Sequence, residues 1–148
     1  MKPKQPYLTY QLELLKNLAI KAANPYYERA ANLRVRELRV LRLLHEIPGV
    51  TATELRHKLV LDKTLLSKNL AALEERGLIA RRIDEKDNRV NRLSLTEEGE
   101  RAWKTCERIG RELESEMFGE LTVEEWRQLH WLLDRAYYSF VKWSNNKK

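Results

Sequence analysis

At 148 residues the chain suffices for one compact domain or two closely merged ones. It is 43% hydrophobic and 34% charged, and no run of about 18 apolar residues occurs, which excludes a helical membrane span. The net charge of +6 is placed unevenly: Arg34 to Arg92 holds 14 Lys and Arg against 9 Asp and Glu, whereas Leu93 onward holds 9 against 11.

With only 5 Gly and 4 Pro, long helices are expected. Met1 to Tyr10 has lysines but neither an apolar core nor a small-residue cleavage site, so no secretory signal is expected. Leu8, Leu12, Leu15, Ala19 and Ala22 recur at helical spacing, and Asn24-Pro25 should end that first helix, because a residue before Pro disfavours the α conformation. A second helix runs from about Arg34 to Glu46 with Val40, Leu43, Leu44 and Ile47 on one side and Leu38 and Leu41 widening that face, and Pro48-Gly49 closes it. Thr51 to Glu54 has the form of a capping box and opens a short third helix anchored by Leu55 and Leu59. Val60-Leu61 is a tight connection. Asp62 caps a fourth helix reaching about Arg76, with Gly77 as its left-handed stop and Leu78 as the accompanying apolar contact.

The periodicity then changes. Ile79 to Ile83 and Val90 to Leu95 read as two strands around the polar tip Asp84 to Arg89, a hairpin with a charged loop. Thr96 caps a fifth helix whose stripe is Ala102, Cys106, Ile109 and Leu113, ended by Gly119. Thr122 to Glu125 is a second capping box, and the last helix carries Trp126, Leu129, Leu133, Ala136, Tyr137 and Phe140 on one face. Trp126, Trp131, Tyr137, Tyr138, Phe140 and Trp143 fall within eighteen residues. One face cannot bury them all, so this helix is expected to pack on more than one side.

Two short helices joined by a tight turn and followed by a hairpin form a winged helix-turn-helix. The fold expected is mainly α, with about six helices and a two-stranded β-hairpin wing. Residues 33–99 would be the winged helix-turn-helix DNA-binding domain. In such a domain the second helix of the pair enters the major groove. Leu66, Leu70 and Leu73 mark its buried side. Lys63, Thr64, Leu65, Ser67, Lys68 and Asn69 are then left for phosphates and base edges, with Leu65 suited to a thymine methyl. At the hairpin tip Arg89 suits a narrow minor groove, Asp87 can orient its guanidinium, and Lys86, Arg81 and Arg82 can hold phosphates.

These residues resemble the MarR-type regulators. Asp62-Lys63-Thr64, Ser67-Lys68, Leu73 to Ile79, Asp87-x-Arg89 and Leu93-x-Leu95-Thr96-x-x-Gly99 match in order and spacing, from about Leu33 to Gly99. The pattern departs at Glu85, Asn88, Leu65 and the His57 to Val60 turn. The resemblance implies a homodimer on a pseudo-palindromic duplex, with a dimerisation region made by the N- and C-terminal helices (residues 1–32 the N-terminal dimerisation helix, 100–148 the C-terminal dimerisation helices), and most often a repressor released by a small aromatic or anionic ligand. Tyr10, Arg39, His45 and Trp103 are the residues expected to line that ligand's pocket. A non-specific nucleoid-type DNA binder, a winged helix used only for protein contacts and a metal-responsive regulator are the alternatives.

No enzyme motif occurs. His45, His57 and His130 stand far apart, and no His-Glu-x-x-His, Gly-rich phosphate loop or Cys-x-x-Cys is present, so neither catalysis, a resident metal nor a cofactor is expected. The single cysteine, Cys106, lies on an apolar stripe, reads as a buried hydrophobe, and suits a reducing cytoplasm.

Overall fold

The computed structural model describes residues 3–148; Met1 and Lys2, which begin the expected N-terminal segment, lie outside the described residues. Among the described residues there are six helices, α1 (Leu8–Ala31), α2 (Val35–Glu46), α3 (Ala52–Leu59), α4 (Lys63–Glu75), α5 (Glu97–Met117) and α6 (Val123–Asn145), with three strands, β1 (Val50–Thr51), β2 (Ile79–Ile83) and β3 (Asn91–Leu95). The chain divides into two compact units, one ending at Leu113 and the other running from Glu114 to Lys148.

The caps legible in the sequence are formed. Thr51 Oγ accepts from the Glu54 N–H at 3.2 Å, and the Glu54 carboxylate accepts from the Thr51 N–H at 3.1 Å. The Asp62 carboxylate accepts from the Leu65 N–H at 3.0 Å. Thr96 Oγ accepts from the Gly99 N–H and donates to the Gly77 carbonyl, joining the start of α5 to the end of α4. Thr122 and Glu125 form the same reciprocal pair at the start of α6, and hydrogen bonding to the Glu125 carboxyl, first from the Thr122 backbone N–H and then from its side chain, holds that carboxyl below its usual range. Gly77 takes φ +73°, and the Leu78 N–H returns to the Leu73 carbonyl at 3.0 Å.

Three expectations are corrected. The first helix does not stop at Asn24: α1 continues through Pro25 to Ala31. A proline inside a helix removes a backbone donor and typically costs about 3 kcal/mol. Burial offsets that cost here, since Ala23 is buried and Tyr27 and Ala31 pack on the core beyond the proline. Asn24 is turned to another use, its Oδ1 accepting from the Val35 N–H at 2.9 Å. The helix ends instead at Asn32, whose left-handed φ of 51° a short polar side chain tolerates. Secondly, the sheet has three strands in the order β1-β3-β2, not two, with Val50 opposite Leu93 and Ile79 opposite Leu95. Thirdly, Ile47 is exposed, although the rest of the expected face of α2 packs inward through Leu38, Val40, Leu41 and Leu44.

One core joins the elements of the first unit. Leu33, Leu41, Leu44, Leu55, Leu70, Leu73, Leu93 and Cys106 are all but sealed from solvent, and Leu66, Leu78, Ile79 and Trp103 complete it. Burial pushes the Cys106 thiol up to about 11, so it stays protonated and unreactive near neutral pH.

The turn between α3 and α4 contains the one β-branched residue at positive φ among the described residues, Val60, at φ 53°. A left-handed conformation costs an L residue about 1–2 kcal/mol, and the Val60 side chain, 88% exposed, recovers little of that by packing. Val60→Gly should therefore stabilise the protein by about 0.5–1 kcal/mol after the extra freedom of Gly in the unfolded chain is deducted. Thermal unfolding should show a rise of about 2 °C; a lower midpoint would mean that the valine side chain itself holds the turn.

Candidate nucleic-acid interface

The fourth helix is locked on one side and open on the other. Leu66, Leu70 and Leu73 are buried as the spacing requires, and Lys63, Thr64, Leu65, Ser67 and Lys68 are exposed. The helix therefore offers solvent two ammonium groups, two hydroxyls and one apolar side chain within six residues. Asn69 is the exception. It was expected outward, but it is only 6% exposed, and its amide nitrogen has no hydrogen-bond partner among the described residues. The spacing explains it: Asn69 follows Leu66 by three and precedes Leu73 by four, so it shares their face. It is removed from the candidate contacts.

Between α3 and α4 lies a small notch of about 80 Å³, lined by Ala52, Thr53, Arg56, Lys63, Leu66, Ser67 and Leu70. Arg56, which sequence reasoning did not single out, brings a half-buried cation to it. Its place one residue after Leu55 and three before Leu59, at the margin of the apolar side of α3, was the available signal.

At the hairpin tip Asp87 and Arg89 are paired as expected. The guanidinium donates to both carboxylate oxygens, Nε to Oδ1 at 3.2 Å and Nη2 to Oδ2 at 3.4 Å, and the Arg89 N–H also donates to Oδ1 at 3.0 Å. The Arg89 side chain is 90% exposed, so the pair displays the cation rather than burying it. Hydrogen bonds from Arg89 hold the Asp87 carboxyl below its usual range.

Beneath this tip is a second pair that the sequence did not reveal. Arg92 Nε donates to Asp84 Oδ1 at 2.7 Å, and Arg92 Nη1 donates to the Gly49 carbonyl at 3.0 Å. Asp84 Oδ2 accepts from the N–H groups of Lys86 and Asp87, at 3.2 and 3.1 Å. Asp84 thus gathers the loop, and Arg92 fastens it to the approach to β1. The Arg92 hydrogen bond depresses the Asp84 pKa, so the carboxylate stays charged well below neutral pH. Of the expected phosphate binders, Lys86 and Arg82 are exposed, while Arg81 is engaged by Glu74 at 2.8 Å.

The four residues expected to line a ligand pocket are only partly brought together. His45 and Trp103 are neighbours, with ring centroids 5.6 Å apart. Arg42 lies over the Trp103 ring at 5.7 Å, and His45 Nδ1 is 2.8 Å from a Glu100 oxygen. Tyr10 and Arg39 are exposed, and among the described residues no hydrogen bond, ion pair or ring contact joins either to this group. The arrangement is a guanidinium and an imidazole against one indole, with the Glu100 carboxylate on the imidazole; Arg42 and Glu100 were unforeseen.

Two helices leave large apolar side chains uncovered. Leu8, Leu12, Leu15 and Leu18 of α1 are between 41% and 58% exposed. On α6, where none of the described residues is buried, Trp131, Leu132, Tyr137, Tyr138, Phe140 and Trp143 are all more than half exposed. Trp126 is less exposed and packs between Phe118 and His130, with ring centroids 5.7 and 4.6 Å away.

Residues 33–90 match the model of the MarR family. The chain is 35% identical to the transcriptional regulator HosA of Escherichia coli over 86 residues, which are 58% of this chain and 64%, less than two thirds, of HosA. It is 31% identical to an uncharacterized HTH-type transcriptional regulator, YxaD of Bacillus subtilis, over 114 residues, 77% of this chain and 80% of YxaD. Among solved structures, MepR of S. aureus in a MepR–DNA complex superposes with a TM-score of 0.79 at 22% identity, covering 91% of this chain and 99% of that one.

Proposed function

This chain belongs to the MarR family, and on that premise we propose that it is a sequence-specific, DNA-binding transcriptional regulator acting as a homodimer. The observation that carries the reading is the exposed flank of α4, Lys63, Thr64, Leu65, Ser67 and Lys68, held rigid by a buried row on the opposite side. The lysines meet phosphates, the hydroxyls meet phosphates or base edges, and Leu65 meets a thymine methyl. Lys86 and the Asp87–Arg89 pair reach the neighbouring minor groove. The uncovered apolar residues of α1 and α6 support a two-fold partner, which sets two α4 helices about one DNA turn apart. In this reading the protein represses, and a small aromatic anion seated against Arg42, His45 and Trp103 shifts the dimer away from the DNA-binding spacing.

The test is fluorescence anisotropy with duplex from upstream of the protein's own gene and with random duplex of equal length, across a salt series. The upstream duplex should bind more tightly, and Lys68→Ala should weaken both and flatten the salt dependence by about one phosphate contact. Equal affinity for the two duplexes would favour the non-specific alternative. Absence of any salt-dependent binding would remove DNA from the account.

A further inference from the structure

The end of α4 is tied to the end of α1 by a single side chain. Arg76, the residue that closes α4, donates from Nη1 to the Asn32 carbonyl at 2.7 Å and from Nη2 to the Ala31 carbonyl at 2.9 Å. The last carbonyls of a helix have no partner within it and carry the negative end of its dipole. A planar guanidinium fork is well matched to two successive carbonyls of this kind. The same corner is fastened from other directions: Asn32 N–H donates to the Glu28 carbonyl, Arg34 Nε donates to Glu28, and Val35 N–H donates to Asn24 Oδ1. The end of α1 is therefore a rigid seat, and Arg76 is the hydrogen-bonding arm that reaches it from α4. Most of the large apolar residues of α1 are exposed, whereas α4 is set in the core by Leu66, Leu70 and Leu73.

We propose that Arg76 is a positioning residue that couples the DNA-contacting helix to α1, so that the placement of the end of α1 sets the placement of the end of α4. This rests on the reading of α4 as the DNA-contacting helix. Asp62, the buried row and the Thr96 hydrogen bond to the Gly77 carbonyl hold α4 in place, and Arg76 adds the tie from its end to α1, so a shift of α1 would tilt α4 about its buried row.

Hydrogen exchange on the free protein and DNA binding test this separately. In Arg76→Gln the amides of the last turn of α4, Ala72 to Arg76, should exchange about tenfold faster, and DNA affinity should fall about tenfold with the salt slope unchanged. Arg76→Lys, which keeps the charge but not the fork, should resemble Arg76→Gln. Asn24→Ala, which loosens the corner at α1, should speed exchange at the end of α4 when Arg76 is present and add nothing when it is Gln. Unchanged exchange in Arg76→Gln, full rescue by lysine, or additive effects of the two substitutions would each overturn the coupling. A salt slope reduced by about one would overturn it too, by making Arg76 a phosphate contact. If the wild-type protein binds no DNA, the function proposed above fails while the exchange results still decide the coupling.

Discussion

Arg89→Ala is expected to weaken binding to the preferred duplex by about 10- to 100-fold while leaving the fold and the oligomeric state as they are. The magnitude follows from the roughly 1–3 kcal/mol that a well-placed guanidinium contact contributes in a groove, at about tenfold in affinity per 1.4 kcal/mol. The expectation of an intact fold comes from this structure. The Arg89 side chain is 90% exposed and its one ion-pair partner, Asp87, is itself 39% exposed. Removing it leaves a carboxylate that water can solvate, not an unpaired buried charge. The loop keeps its shape because Asp84 and Arg92, and not Arg89, gather it. Asp87→Ala should have a smaller effect, since it frees the guanidinium to roam without deleting it. Gel shift with both duplexes, beside a melting curve, reads the outcome. Unchanged affinity in Arg89→Ala would remove the wing from the interface, and a lowered melting point would mean that the loop depends on the pair.

Acid should act on the same loop in a definite direction. Asp84 and Asp87 both have carboxyl groups held below their usual range, by Arg92 and Arg89 respectively. A depressed folded-state pKa contributes stability above the unfolded value, and that stability is lost as pH falls through the folded one. The hairpin tip therefore holds its shape through the neutral range and loosens only under strongly acid conditions.

The parts of this molecule legible in the sequence are those whose cause is local. The caps at Thr51, Asp62, Thr96 and Thr122 depend on side chains within three residues of the backbone groups they satisfy, and all four are formed. The stop at Gly77 and the pairing of Asp87 with Arg89 are equally local. What the sequence hid depends on partners far along the chain. Two residues, Val50 and Thr51, become a strand only because β3 passes beside them, and nothing in their own neighbourhood announces it. Pro25 is a helix breaker by local rules and is overridden by packing from Tyr27 and Ala31. The Arg92 fastening to Gly49 spans 43 residues, and the Arg76 fork spans 45 to Ala31. Asn69 differs for another reason: its polarity suits solvent, but its spacing from Leu66 and Leu73 puts it on the buried face.

The opposite case, a glycine whose need is visible only in three dimensions, yields the largest expected loss of stability. Gly99 is the third residue of α5, and by helix propensity alone replacing it with alanine should stabilise the protein by up to about 1 kcal/mol. The structure reverses that sign. A Cβ at Gly99 would stand 2.0 Å from the Leu78 carbonyl oxygen and 3.3 Å from a Leu95 methyl. The obstacle is backbone, so no rotamer change relieves it. Nor can α5 retreat cheaply, because the Thr96 N–H donates to that same Leu78 carbonyl and Thr96 Oγ caps Gly99. Leu78 cannot retreat either, being buried beside Ile79, which begins β2. Gly99→Ala should cost about 3 kcal/mol or more, at the upper end of overpacking penalties, and lower the melting temperature by about 10 °C. Gly110→Ala provides the comparison. Its Cβ would meet the Tyr27 hydroxyl at 2.7 Å, a side-chain atom and not backbone, so the loss should be smaller. A Gly99→Ala protein as stable as wild type would mean that the end of α4 and the start of α5 are not locked together, and with them the base on which the hairpin stands.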